Sequence, residues 1–342
     1  MRRETLITTG GGVLAALAVF AVMLWLTDAR AVVDAVVDGD PWLLAAVAAT
    51  VLLWNVAWGF ALWNVLCTQA VDASLGQALL VHAAAGFANH VTPLGQAGGE
   101  PVTAWLLSRT VDTDYEVGLA SVASLDAINV VPSLSFVTVG VSYYALTGTP
   151  AVRDRLGLAP AVVLVLAVAL PTLAVLGWRR RRGVERLFGA AVEGAWRRLA
   201  AVVPFVSLPE RGAVGARVAG FRAAVERVAA DRRRLAAAVC LSALGWAFQA
   251  VGLWATFLAL GASIPVVLPF FVVPLGTLGG AVPTPGGLGG TEAVNVGLLT
   301  LLTGAPASTV VAAVLVHSVG GYLLTTSVGA AATAALGVRV VR

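Results

Sequence analysis

The chain has 342 residues, of which 59% are hydrophobic and only 12% are charged. Soluble globular domains carry about 25% charged residues, so this composition excludes an ordinary water-soluble enzyme and indicates a membrane protein. The 22 basic residues outnumber the 18 acidic ones, which gives a net charge of +4. Its two cysteines, Cys67 and Cys240, form no disulfide framework and no metal-ligand pattern.

Apolar runs recur along the whole chain, and a run of about 20 residues is long enough to cross a bilayer as a helix. We therefore predict an all-α polytopic membrane protein, a single integral membrane domain over residues 1–342. The six predicted full spans are residues 10–26, 41–66, 117–146, 160–178, 235–260 and 306–336. The first run could instead be a cleaved signal peptide, although the spans that follow need it for correct parity.

The arginines predict the orientation. Residues 179–234 hold 14 of the 22 Arg and only five acids, and loops rich in Arg stay on the cytoplasmic side. With six spans, this places both termini in the cytoplasm and the acidic loop 28–40 outside. We expect the chain in the cell membrane.

The Arg-rich connector, residues 179–234, carries apolar residues at helical spacing in 184–199 and again in 214–228. Arg-rich faces lie opposite, which is typical of helices on an anionic inner leaflet. A solvated connector held only by topology is the alternative. We expect membrane lipids as partners. We expect no nucleic acid, because this basic surface lies against a membrane. The formation of a homo-oligomer stays an open alternative.

Two segments are too interrupted to be simple spans. Residues 77–111 and 265–303 each contain two short apolar runs separated by a Pro- and Gly-rich elbow, at 92–101 and 283–292. Neither run of the first segment comfortably crosses about 30 Å of hydrocarbon. We predict two re-entrant helical hairpins, although a tight turn between two full spans would give the second segment the same parity.

The two elbows share the pattern T-P-x-G-x-x-G-x-E, which starts at Thr92 and again at Thr284 and ends at Glu100 and Glu292. The offset is the same at all five matched positions (284 − 92 = 192). Because one elbow is entered from inside and the other from outside, the pattern predicts an inverted repeat whose broken helices meet near the midplane, as in many secondary transporters.

The elbow residues indicate a polar cavity. A residue before proline avoids the helical conformation, so Thr92 and Thr284 are expected to end the entering half-helices. Glycines permit tight turns with positive φ. Irregular backbone at membrane depth survives only inside protein or beside a wet cavity. The exiting half-helices, starting at residues 100 and 291, could hold an anion such as a lipid phosphate at their N-termini.

The two glutamates have two interpretations. Each could be an acid that stabilises the start of a half-helix, or a headgroup or proton site, since a carboxylate in a bilayer is costly. Asp126 and Asn129 could line the cavity or join helices, and Asn89 and His90 could face the cavity or cap the turn. His82 and His317 are expected to be packing residues. The predicted substrate-binding residues are Asn89, Thr92, Pro93, Gly98, Gly99, Glu100, Asp126, Asn129, Thr284, Pro285, Gly286, Gly287 and Glu292.

At these elbows the sequence resembles the flippase-like family related to the transmembrane domain of lysylphosphatidylglycerol synthases. Residues 89–93, 98–101 and 283–289 with Glu292 carry the resemblance, which extends over essentially the whole chain. It implies a membrane domain that moves lipids or lipid-linked molecules between leaflets. Family members often carry an Arg soon after the first glutamate, where Thr103 and Ala104 stand here, so the headgroup type stays open.

The functional expectation is a translocator of a phospholipid or a polyprenyl-phosphate-type lipid. A secondary transporter of a soluble anion or ion, and a non-transporting partner of a lipid or glycan enzyme, are the alternatives. We expect no enzyme activity, because no stretch of the sequence has the size and composition of a soluble catalytic domain, and the sequence shows no cofactor or metal motif.

Overall fold

The computed structural model describes residues 29–69, 71–92, 96–147, 213–281 and 284–337, besides four isolated helical positions between 165 and 176. The predicted spans 10–26 and 160–178 therefore lie outside the described residues. These residues form ten α-helices and two short 3₁₀ segments. The helices are α1 (Ala29–Val37), α2 (Pro41–Leu66), α3 (Leu75–Val91), α4 (Gln96–Thr110), α5 (Tyr115–Thr147), α6 (Ala213–Ala230), α7 (Arg232–Ala259), α8 (Val267–Gly276), α9 (Gly290–Thr303) and α10 (Ala307–Ala335); the 3₁₀ segments are Thr277–Ala281 and Pro285–Gly287.

Four helices, α2, α5, α7 and α10, are long and apolar enough to cross a membrane. They correspond to the predicted spans 41–66, 117–146, 235–260 and 306–336, and they make the chain a helical membrane protein. Aspartates cap two of them: the Asp40 carboxylate accepts the Trp42 N–H at 2.8 Å, and Asp231 accepts the Arg234 N–H at 3.0 Å. These caps satisfy backbone donors that a helix start leaves without partners.

The second five helices repeat the first five. Helices α2 to α5 and α7 to α10 begin 191 to 194 positions apart (232 − 41, 267 − 75, 290 − 96 and 307 − 115). The packing repeats as well: α3 packs on α10 as α8 packs on α5, and α1 packs on α10 as α6 packs on α5. The spacing first seen in the elbows thus extends to whole helices.

Helices α2 and α7, which are equivalent in the two repeats, run in opposite directions. Helices α2 and α7 pack against each other along their length. At one end the Asp40 N–H donates to the Ala259 carbonyl at 2.8 Å, and at the other Arg234 Nη1 donates to Asn64 Oδ1 at 3.1 Å. Between these ends, Trp58 Nε1 donates to the Ser242 carbonyl at 3.3 Å. The start of each helix therefore lies beside the end of the other.

Helix α6 is the described part of the Arg-rich connector, and it confirms the helical spacing of residues 214–228. Its apolar face is not free, because Ala224 and Val228 are buried. The buried Gln69 side chain fastens the helix: its Nε2 donates to the Ala224 carbonyl at 3.0 Å, and Arg227 Nε donates to its Oε1 at 3.1 Å. The other predicted connector helix, 184–199, lies outside the described residues.

Candidate functional site

The first elbow is shorter than predicted. Helix α3 ends at Val91, and Thr92 is its C-cap in an extended conformation (φ −91°, ψ 140°), as expected before a proline. Helix α4 already begins at Gln96, so Gly98, Gly99 and Glu100 lie in its first turns and not in the turn itself. The predicted start at residue 100 was wrong. Pro93 lies outside the described residues.

A close contact between α3 and α4 explains why a glycine stands at position 99. A Cβ atom at Gly99 would lie 1.8 Å from Asn89 Oδ1 and 2.9 Å from the Asn89 Cα. Only a residue without a side chain allows α3 and α4 to approach so closely. The glycine at this position thus permits a close approach of two half-helices, and it adopts no positive φ.

The second elbow does contain the positive φ angles that the sequence predicts. Gly286 has φ 64° and Gly287 has φ 72°, both within the 3₁₀ segment that starts at Pro285. Thr284 was expected to end the entering half-helix, but α8 already ends at Gly276 and a 3₁₀ segment follows. Thr284 is instead buried inside the elbow, where its hydroxyl donates to the Leu288 carbonyl at 2.8 Å.

The two elbows meet. The His90 ring, at the end of α3, stacks on the Tyr322 ring of α10 with 3.9 Å between centroids. The Tyr322 hydroxyl donates to the His90 carbonyl at 3.1 Å, and His90 Nδ1 lies 2.6 Å from the Thr326 hydroxyl. A Cβ at Gly286 would lie 2.6 Å from the Tyr322 ring and 3.1 Å from the His90 ring, so the second elbow packs directly on this pair.

Two cavities lie beside the elbows. The Glu292 cavity has a volume of about 310 Å³ and the Glu100 cavity about 440 Å³. They share a wall, formed by Trp58, His82, Ala85, Asn89, Gln249 and Thr277. Among the thirteen predicted residues, Glu100, Asp126 and Asn129 line the Glu100 cavity, Gly286 and Glu292 line the Glu292 cavity, and Asn89 lines both. Thr92, Gly99, Thr284 and Gly287 line neither cavity.

The Glu292 carboxylate is buried and paired within its own repeat. The side chain is only 1% exposed. Its Oε2 accepts the Gly289 N–H at 2.6 Å, at the start of its own helix α9, and its Oε1 accepts a short hydrogen bond from the Ser318 hydroxyl of α10. This carboxylate already occupies one of the N-terminal amides that the sequence suggested for a lipid phosphate.

The Glu100 cavity holds the other carboxylates. Glu100, Asp126 and Asn129 all line it, together with Thr103 and Ser133. Asn129 also joins two helices, α5 and α7, since its Oδ1 accepts from Ser242 Oγ at 2.5 Å and its carbonyl accepts from Trp246 Nε1 at 3.2 Å. Both interpretations of Asn129 apply, because it faces the cavity and links α5 to α7.

The two cavities are built from equivalent positions of the two repeats. Nine pairs of lining residues lie 192 positions apart (292 − 100 = 192), one member in each cavity. They are Glu100 and Glu292, Thr103 and Asn295, Leu125 and His317, Asp126 and Ser318, Asn129 and Gly321, Val130 and Tyr322, Ser133 and Thr325, Trp246 and Trp54, and Thr277 and Ala85.

The motif search overlooked most residues of the Glu292 cavity. Helix α10 contributes a polar stripe to it, and α2 contributes aromatic rings. The overlooked residues are Trp54, Asn295, Ser318, Tyr322 and Thr325. His317, which was expected to be a packing residue, also lines this cavity. The stripe was visible as polar residues recurring along one apolar span, and Ser318 lies 192 positions after the predicted Asp126.

Comparisons with known proteins agree with this architecture. The family model described as the lysylphosphatidylglycerol synthase TM region matches residues 13–329. The chain belongs to this family. It is also similar to a UPF0104 membrane protein of Methanothermobacter thermautotrophicus, with 27% identity over 295 residues that cover 82% of this chain and 79% of that protein. The resemblance inferred from the two elbows is thereby confirmed.

Proposed function

We propose that the protein is a translocator, of the flippase type, that moves a phospholipid or a polyprenyl-phosphate-type lipid between the two leaflets. The observation that supports this most is the pair of polar cavities between apolar helices, built from equivalent positions of the two repeats. A bilayer offers no water to polar side chains, so polar residues inside it are costly and by default functional.

The proposed topology is an inverted repeat. Its support is the opposite direction of α2 and α7, which begin equivalent parts of the two repeats. Helix α4 has 15 residues and α9 has 14, about 22 Å each and shorter than the hydrocarbon core. Each would form half of a re-entrant hairpin. With the spans 10–26 and 160–178, the chain would cross the membrane six times and keep both termini in the cytoplasm.

In this mechanism the headgroup enters the cavities, while the acyl or isoprenoid chains stay in the lipid. No arginine occurs among the described residues that line either cavity. A soluble anion would find no positive charge there, which favours lipid transport over anion transport. The phosphate of a lipid would stay near the interface, outside these cavities. The proposal assigns no enzyme activity to the chain.

The decisive residue for the test is Glu100, since Glu292 is engaged with Gly289 and Ser318. Full-length protein would be reconstituted into proteoliposomes that contain tail-labelled phosphatidylglycerol, and lipid crossing would be followed by quenching of the outer leaflet. We expect Glu100→Gln to lower the rate about tenfold or more, because one hydrogen bond to a charged group contributes roughly 1.5–3 kcal/mol.

Ser135→Ala is the control, because its exposed hydroxyl bonds only within α5. Proteoliposomes with this variant should show lipid crossing at the wild-type rate. Equal rates for the wild type, Glu100→Gln and protein-free vesicles, for both phosphatidylglycerol and a labelled polyprenyl phosphate, would contradict the proposed function.

A further inference from the structure

The Glu292 cavity differs in its chemistry from a site for a charged headgroup. We infer that it holds an uncharged, polyhydroxylated group, namely a sugar ring of a glycolipid. This inference rests on the proposed function and specifies the substrate class for one of its two cavities.

The first support is a set of buried neutral polar side chains on the cavity wall. Asn295 is 5% exposed and His317 is 6% exposed, and both line the cavity, as does Asn89. The Oδ1 atoms of Asn89 and Asn295 are packed against the glycines Gly99 and Gly276, so the rest of each side chain borders the cavity. Polar side chains inside a bilayer are costly, so their place on this wall suits a bound ligand with polar groups.

The partners that these side chains need are neutral. Amides and imidazoles both donate and accept hydrogen bonds, and so does each hydroxyl of a sugar. Around one ring, several hydroxyls point outward in different directions. A ligand of this kind can pair with Asn89, Asn295 and His317 together, which a headgroup with a single polar atom cannot do.

The second support is charge. Glu292 is the only carboxylate among the described residues that line this cavity, and it already accepts from Gly289 and Ser318. No arginine lines the described wall. A phosphate or carboxylate would be buried there without a counter-charge, which is costly. An ammonium group would be better placed in the Glu100 cavity, where Asp126 adds a second carboxylate.

The third support is the aromatic wall. Trp54, Trp58 and Tyr322 line the cavity. Indole and phenol rings combine a large apolar face with one polar edge, and a sugar ring likewise has an apolar C–H face and a polar rim. The volume of about 310 Å³ is at the small end of typical ligand pockets, which suits a short headgroup of one or two rings.

The test compares three lipids with the same labelled tail: monoglucosyl diacylglycerol, phosphatidylglycerol and phosphatidylethanolamine. Crossing would be measured in proteoliposomes, and binding of radiolabelled glucosyl lipid to the purified full-length chain would be measured separately. We expect the glucosyl lipid to cross fastest. Asn295→Ala should weaken its binding and slow its crossing about tenfold, the effect of one lost hydrogen bond to a buried group.

Two further variants separate a binding role from a folding role. Asn295→Thr introduces the residue that the first repeat carries at the equivalent position, Thr103, and should give an intermediate loss. Ser327→Ala, an exposed residue of α10 whose hydroxyl bonds only to the Leu323 carbonyl, should change neither binding nor crossing. A monodisperse elution profile in detergent would show that each variant is folded.

The outcomes distinguish this inference from the proposed function. Crossing of phosphatidylglycerol alone, with no binding of the glucosyl lipid, would overturn the sugar site and leave lipid translocation intact. Binding of the glucosyl lipid that depends on Asn295, without crossing of any lipid, would keep the sugar site and contradict translocation. If soluble methyl glucoside displaces the radiolabelled lipid as strongly as unlabelled glucosyl lipid does, the cavity binds a free sugar and not the headgroup of a glycolipid. Absence of both binding and competition would overturn the inference.

Discussion

The Glu100 cavity and the Glu292 cavity lie in equivalent places of two repeats, yet their chemistry differs. At the position of Asp126 the second repeat carries Ser318, and at the position of Leu125 it carries His317. One chamber therefore presents two carboxylates, while the other presents neutral amides, an imidazole and hydroxyls around one paired carboxylate. The backbone repeat fixes where the polar groups lie, and the side chains decide the charge and the hydrogen-bonding groups of each chamber.

The largest expected effect separates the two glutamates. Glu292→Ala should lower the free energy of unfolding by about 2–4 kcal/mol, because the buried Gly289 N–H and the Ser318 hydroxyl would both lose their acceptor. Glu100→Ala is the matched variant and should lower it by less than about 1 kcal/mol, since Glu100 is only half-buried. Thermal unfolding in detergent measures both. Equal losses would mean that the two acids have the same structural role.

Gly286 in the second elbow should be more sensitive to substitution than Gly304, the glycine that ends α9. Gly286→Ala combines a positive φ of 64° with a Cβ placed 2.6 Å from the Tyr322 ring, and we expect a loss of about 2–3 kcal/mol. The control is Gly304→Ala, which has a similar φ of 66° and open space around the new Cβ, so only about 1 kcal/mol of strain is expected there. A Gly286→Ala loss no greater than that of Gly304→Ala would show that the contact between the elbows is loose.

The smallest effect concerns the polar link between α5 and α7. Ser242→Ala removes the hydroxyl that donates to Asn129 Oδ1 and should cost about 1 kcal/mol, because a half-buried acceptor loses its partner. The equivalent residue of the first repeat is Thr50, whose hydroxyl bonds only to the Val47 carbonyl of its own helix. Thr50→Val should therefore cost less than about 0.5 kcal/mol. Unfolding midpoints would be measured for both variants. Equal losses would mean that Thr50, like Ser242, links two helices.

The sequence predicted the long helices well, because each is a continuous apolar run. Helix α2 begins directly after Asp40, and α5 and α10 lie within a few residues of their predicted limits. The elbow pattern predicted the spacing of the repeat, and it also predicted that Thr92 would end a helix. These features depend on local backbone preferences and on hydropathy, which a sequence carries directly.

The parts that could not be predicted depend on contacts between distant segments. Helix α4 begins before Glu100, and its Gly99 packs on Asn89, a contact that no local pattern reveals. Glu292 pairs with Ser318, which lies 26 residues later on another helix. Asn295 and His317 belong to no motif and become visible only when the chambers are superposed by the repeat. The single shared elbow pattern therefore located the site but not its chemistry.

The packing of helices from one half on helices of the other has a consequence for any shortened form of this chain. Helix α3 packs against α10, and α8 packs against α5, so a short helix of each half covers a long helix of the other. A polypeptide that stopped after the first five helices would expose these faces. A second copy packed antiparallel could cover them, as α7 packs antiparallel on α2 in this chain.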